Sequence, residues 1–276
     1  MAFTRRTRIG LLLFAMSGLN THAFAQVDLS GSWASRRFEE TVAPIPVDYT
    51  GLPLNDEGRI KALSYSESQL SMVERQCNGW PPFYLAQGPF GMKIWNNTDP
   101  VSGETISWMI GAWEDVAPVT IWMDGRPRPS KNAPHPRGGF TTGTWEGETL
   151  VAYTTHMKAG SIRRNGAPSS DQAAMATRFI RHGNLLTLFI AVEDPIYLEE
   201  PLLISKTYEL GPSPVLPVGP PCIPAYEGTA GDGHVPHYLP GENPFVDELT
   251  KKYGIPRDAV LGGSATIYPE YGKTLR

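Results

Sequence analysis

The chain has 276 residues, with 28 glycines, 26 prolines, 41% apolar and only 19% charged side chains. The apolar share is enough to build a core, which excludes global disorder, while Gly and Pro together exceed the usual ~12% and favour turns over long helices. Its net charge of −4 lacks the basic footprint of a nucleic-acid binder. Glycine follows no period of three and no heptad pattern is sustained, so collagen and coiled coil are excluded too.

The first 25 residues read as a signal peptide. Arg5, Arg6 and Arg8 form a basic start, an apolar stretch of 11 residues follows from Ile9 to Leu19, and Ala23-Phe24-Ala25 supplies the small–x–small cleavage pattern. Such a stretch is too short to span a bilayer, which takes about 20 residues. Arg8 stands where a twin-arginine signal prefers an apolar residue, which favours the general secretory route. The mature chain is expected to begin at Gln26 in the periplasm or outside the cell, with 21 basic against 28 acidic side chains once the three leader arginines are gone. Nothing further along is apolar enough for a span, so no membrane attachment is expected after cleavage.

Export governs the reading of Cys77 and Cys222, the only two cysteines. Two thiols in an oxidising compartment most often pair, and a loop of about 145 residues would be closed. A cysteine nucleophile or a zinc site on this pair finds less support, since no CxxC spacing is present.

A first strand enters through the turn before Trp33. Residues 41–54 are punctuated by proline and read as a loop, after which Asn55 caps a helix expected to run to about Gln76, with Ile60, Leu63 and Leu70 at helical spacing. The runs 83–87, 91–96, 105–113, 118–123, 140–145, 149–157, 173–181, 185–193 and 202–210 are rich in β-branched and aromatic residues. Two tight hairpins are predicted, across Glu146-Gly147-Glu148 and His182-Gly183-Asn184. With no βαβ alternation, the fold is expected to be an antiparallel barrel, or a sandwich, over residues 26–211. From Pro212 to Arg276 a Pro- and Gly-rich tail carries Tyr238, Phe245, Tyr253, Tyr268 and Tyr271. It is too aromatic to float free and is expected to wrap one end of the barrel, with a short helix inside 244–254.

Three segments carry a resemblance. Asp28-Leu29-Ser30-Gly31-Ser32-Trp33 has the form DLSGxW, Asp124-Gly125-Arg126-Pro127 the form DGRP, and Gly143-Thr144-Trp145-Glu146-Gly147-Glu148-Thr149-Leu150-Val151 the form GxWEGxTLV. Together they resemble an uncharacterised family of exported bacterial proteins held to be lipocalin-like β-barrels. Glu193-Asp194-Pro195 is similar to that family's late strand ending, and the segment 234–271 to the tail of one branch. The resemblance covers most of 28–210 and implies a fold and an exported location, but little chemistry. This chain departs from the pattern in having Gly139 or Phe140 where many relatives have a His, Tyr153 where many have an acid, and Thr177-Arg178 where a Glu–Arg pair is usual.

The candidate catalytic residues are His156, Arg163, Arg164 and Asp194. His156 ends a core strand close to cations, which would depress its proton affinity and suit it to act as a base near neutral pH. Arg163 and Arg164 occupy a tight basic turn suited to an anionic or phenolate group. Asp194 is either a buried acid or base, or a strand-ending turn residue before proline. Trp108, Trp113, Trp122, Trp145 and Tyr153 are candidates to line a ligand cavity, although core filling is the ordinary role of such rings. His182 reads as a turn residue, and Pro236 prevents a helix from aligning His234 with His237 for a metal. GxSxG, Walker, dinucleotide and HExxH motifs are absent. The sequence therefore points to a cofactor-free protein with two readings. One is acid–base chemistry of lyase, isomerase or decarboxylase type on a small hydrophobic or aromatic molecule, and the other is binding or carriage of such a molecule without turnover.

Overall fold

The computed structural model describes residues 27–36, 45–77, 80–87, 91–111, 118–212, 223–225 and 234–275. The expected leader over residues 1–25, Trp113 and Cys222 lie outside the described residues.

Nine strands close into a barrel. In chain order they are β1 (Gly31–Ser35), β2 (Met92–Thr98), β3 (Thr105–Gly111), β4 (Val119–Trp122), β5 (Phe140–Glu146) and β6 (Thr149–Thr155). A two-stranded ribbon of β7 (Gly160–Ser161) and β8 (Pro168–Ser169) follows, and then β9 (Ala174–His182), β10 (Leu185–Glu193) and β11 (Leu202–Leu210) complete the ring. The order around the ring is β1-β11-β10-β9-β6-β5-β4-β3-β2. The expected barrel is present and the sandwich alternative is not. The two central hairpins form as the sequence indicated, each with a glycine at positive φ in its first turn position, Gly147 at 60° and Gly183 at 57°.

Three local readings are corrected. First, β4 and β5 pair in parallel, Ile121 opposite Thr141 and Trp122 opposite Thr142, so the barrel is not wholly antiparallel. A parallel pair cannot be joined by a tight turn, and residues 123–139 run back along the outside of the barrel as a strap. Second, the run at 83–87 is no strand. Residues Pro82–Ala86 form a single 3₁₀ turn, because Pro81 and Pro82 fix φ and remove two ladder donors. The turn packs against β10 and β11, with Phe83 and Tyr84 fully buried. Third, the helix after Asn55 is short. Asn55 does cap it, its side chain accepting from the Gly58 N–H at 2.8 Å, but the helix (α1) spans only Asp56–Leu63. Its inward face is Gly58 and Ala62, while Ile60 and Leu70 are exposed. Gly58 has to be inward and small, since a Cβ there would lie 2.5 Å from the Tyr197 carbonyl oxygen.

Alternation sorts the strand residues into two faces. Leu150, Ala152 and Thr154 of β6 point inward, with Met175, Thr177 and Phe179 of β9 and Leu186, Leu188, Ile190 and Val192 of β10. Trp33, wholly buried, fills the space beside β11, its indole N–H donating to the Leu29 carbonyl at 3.0 Å. The tail packs on the loop end of the barrel. Tyr65 bridges to His237, the Tyr238 N–H donates to the Ser64 carbonyl, and Leu249, Ala259 and Val260 are buried.

Candidate functional site

The barrel interior is a packed core. Ile110, Val119, Ile121, Thr141, Ala152, Met175, Phe179 and Ile190 surround a void of only about 20 Å³. A space of that size holds about one water molecule. A ligand of even one ring has no room there.

The aromatic candidates divide accordingly. Trp108 faces inward and is 3% exposed, filling the core, and its indole N–H has no partner among the described residues. Trp145, opposite Leu150, packs against the core at the hairpin end. Trp122 and Tyr153 face outward, because each lies one residue along its strand from an inward neighbour, Ile121 and Thr154. Both are covered by the strap: the guanidinium of Arg126 lies 3.3 Å from the centroid of the Trp122 ring, and that of Arg128 lies 4.2 Å from the Tyr153 ring.

His156 belongs to the same strap. Its Nε2 lies 2.9 Å from the Ser130 carbonyl and its Nδ1 2.9 Å from Thr155 Oγ1, while the ring of His135 sits 5.1 Å away, centroid to centroid. His135 in turn bonds the Met157 carbonyl through Nδ1. His156 holds this position with φ at 57°, a conformation uncommon outside glycine, although His, Asn and Asp adopt it more readily than other side chains. Arg163 and Arg164 lie in the turn between β7 and β8, and Arg163 donates to the Thr50 carbonyl at 3.3 Å. Asp194 is buried, and its carboxylate accepts from the N–H and hydroxyl of Ser170 (2.6 and 2.7 Å) and from the N–H groups of Ile196 and Tyr197. These bonds close the turn that carries β10 toward β11. His156, Arg163 and Asp194 are thus each tied to a different segment, and none of the four candidates lines the lumen.

A larger cavity lies outside the barrel, on the loop end. It is a cleft of about 370 Å³ between the segment following α1 and the β7–β8 ribbon. Its walls carry Lys61, Tyr65, Arg75, Trp80, Ser169 and Tyr197. Trp80 is held flat by stacking on Tyr84, with ring centroids 4.5 Å apart and planes 23° apart. Tyr65 is seated on Gly166, where a Cβ would come within 2.1 Å of the Tyr65 ring and φ is 84°. Burial, with Glu67 adding to it, pushes the Tyr65 phenol up to about 12. Burial and the charge of Asp194 also raise Tyr197. Both phenols keep their protons at neutral pH, as a tyrosine ordinarily does. Ser169 is 3% exposed, and its hydroxyl has no partner among the described residues. A second cavity of about 240 Å³ lies on the other side of Tyr65, walled by Val47, Tyr49, Tyr238 and Phe245.

The sequence offered no motif for this cleft. Lys61 stands in the stretch capped by Asn55 and Trp80 just before two prolines, with no spacing rule that joins them. Only the Asn165-Gly166 pair, which forces the turn against which Tyr65 packs, marks the place in retrospect. Among the described residues no group of three His, Cys, Asp or Glu side chains is placed to hold a metal ion, and no helix is long and apolar enough to cross a membrane. No protein-family model, curated protein or solved structure matches the chain.

Proposed function

We propose that the protein is an exported barrel that binds a small hydrophobic or aromatic molecule, and that the ligand lies in the loop-end cleft rather than inside the barrel. One observation carries this reading: the lumen is reduced to about 20 Å³, while the cleft offers about 370 Å³ beside a fixed tryptophan face. Ligand pockets commonly occupy roughly 300–1,000 Å³, so the cleft suits a small molecule. Residence in the periplasm or outside the cell rests on the pattern of residues 1–25 and on the resemblance to exported barrel proteins. A Cys77–Cys222 bridge belongs to the same reading. It is supported by reciprocal bonds between the Gln76 side chain and the backbone of Ala225, which bring the segment after Cys222 beside Cys77.

Binding without turnover is favoured because His156 and Asp194 are held by backbone partners. Acid–base chemistry of lyase, isomerase or decarboxylase type is the second reading. The observation in its favour is Tyr65, whose retained proton would make it an acid rather than a base. Native mass spectrometry of the protein from its own source, followed by a tryptophan-fluorescence titration with the recovered molecule, tests both readings. Quenching that disappears in Trp80→Phe places the ligand in the cleft, and unchanged quenching in that variant overturns the placement. Conversion of the molecule during incubation would replace the carrier reading with the enzymatic one.

A further inference from the structure

Resting on that reading, we infer that the ligand is a small aromatic carboxylate, with its ring on Trp80 and its carboxylate between Lys61 and Arg75. The chain carries more acidic than basic side chains, yet the cleft is lined by two cations and no carboxylate. Elsewhere several cations are matched by acids: Arg59 pairs with Asp56, Arg126 with Asp124, and Arg178 with Glu146. Lys61 and Arg75 have no ion-pair partner among the described residues, and both are exposed toward solvent.

The nearby acids are on other duties or at the margin. Asp194 is consumed by Ser170 and two backbone N–H groups, Glu57 and Asp171 act on the Tyr197 phenol, and Glu67 acts on Tyr65. The phenols of Tyr65 and Tyr197, protonated at neutral pH as tyrosines ordinarily are, line the same cleft and offer O–H groups to a carboxylate oxygen. Arg with carboxylate gives the strong charge-assisted bond, and Lys supplies a mobile second charge. A carboxylate is favoured over a phosphate ester because neither a glycine-rich loop nor a long helix N-terminus lines the cleft, and those are the usual phosphate cradles.

The experiment compares 3-phenylpropionate, 3-phenylpropanol and phenyl phosphate by calorimetric titration of the mature protein at pH 7. Wild type, Lys61→Met, Arg75→Met and the double variant are titrated. The expected result is that the acid binds at least tenfold more tightly than the alcohol, that each single variant lowers only the acid's affinity, and that the double variant removes the preference while leaving the alcohol unchanged. Raising the salt concentration should weaken the acid and leave the alcohol unchanged. Equal affinity for acid and alcohol, or a preference that survives in the double variant, overturns the inference while leaving the binding reading intact. Tighter binding of phenyl phosphate than of the acid overturns the choice of carboxylate. If the wild type binds none of the three, the inference falls, and a ligand recovered by mass spectrometry then decides whether the binding reading falls with it.

Discussion

Arg126 lies over Trp122, its guanidinium 3.3 Å from the ring centroid, while the same group forks onto the Asp124 carboxylate at 2.6–3.1 Å. Two residues on, Arg128 covers Tyr153, and further along His156 reaches back to the Ser130 carbonyl. Residues that read as parts of a ligand site are therefore fasteners for the strap that the parallel β4–β5 pair makes necessary. The Arg126 side chain holds the Asp124 carboxyl below its usual range, and each of the two side chains keeps roughly a third of its surface exposed.

At position 156 the normal order of alanine and glycine should reverse. His156→Ala loses the bonds to Ser130 and Thr155 but keeps a left-handed backbone, and should cost about 1 kcal/mol. His156→Gly loses the same bonds but adopts φ of 57° without steric cost, so it should be at least as stable as the alanine variant. Urea unfolding at pH 7 measures both. An alanine variant clearly more stable than the glycine one would mean that the backbone relaxes away from this conformation.

The filled lumen predicts that Gly143 cannot grow. A Cβ there would stand 2.6 Å from Ile121 Cγ2 and 2.7 Å from Met123 Sδ. Gly143→Ala should cost about 1–3 kcal/mol as an overpacked core position. Gly138→Ala, whose Cβ would meet nothing nearer than 4.0 Å, is the control and should leave the melting temperature nearly unchanged. If Gly143→Ala melts like the control, the interior has slack that the geometry denies.

Alkaline behaviour follows from the buried phenols. Tyr65 ionises near 12 in the folded chain against an ordinary value of 10. The unfolded chain loses that proton first, so the stability attached to the neutral phenol is complete below pH 10 and declines as pH rises from 10 toward 12. Tyr49 and Tyr208 are raised further by burial and act in the same direction. Absorbance titration near 295 nm should show a late-ionising class of tyrosines, and Tyr65→Phe should remove one member and flatten the loss of stability above pH 10. A single ordinary transition near pH 10, with the fold intact, would contradict the burial of these groups.

Thiol counting on the denatured, unreduced mature protein should find no free cysteine. Reduction should then lower stability by up to about 4–5 kcal/mol in the chain-entropy description of a loop this long. Two free thiols before reduction would remove the bridge from the proposal.

The barrel was legible in the sequence because its signals are local. Alternation in 149–155 and 185–193 assigns each residue a face, and Gly147 and Gly183 mark turns that close within two residues. The parallel β4–β5 pair was not legible, since its partners are joined by a strap with no turn signature. Ile60 and Leu70 misled because helical spacing does not say which face is buried, and here two small residues, Gly58 and Ala62, were needed for close approach. The cleft was illegible for a related reason. Lys61, Trp80, Ser169 and Tyr197 come from four separate segments and share no spacing rule. Trp122 and Tyr153 were noticed as rings, but which side of the wall a ring occupies is set by register, not by composition.

The ring has consequences for the order in which the molecule can be completed. β5–β6 and β9–β10 pair through two-residue turns, so they can zip as soon as they are made, whereas β1 pairs on one edge with β2 and on the other with β11, placing Trp33 opposite Leu210. Contacts between residues so far apart are slow to form. A growing chain therefore carries β1 with one edge unpaired until residue 210 has been added, and an unpaired strand edge is the feature most prone to pair with the wrong neighbour. The last strand of the ring, rather than the first, decides when the molecule becomes safe from its own copies.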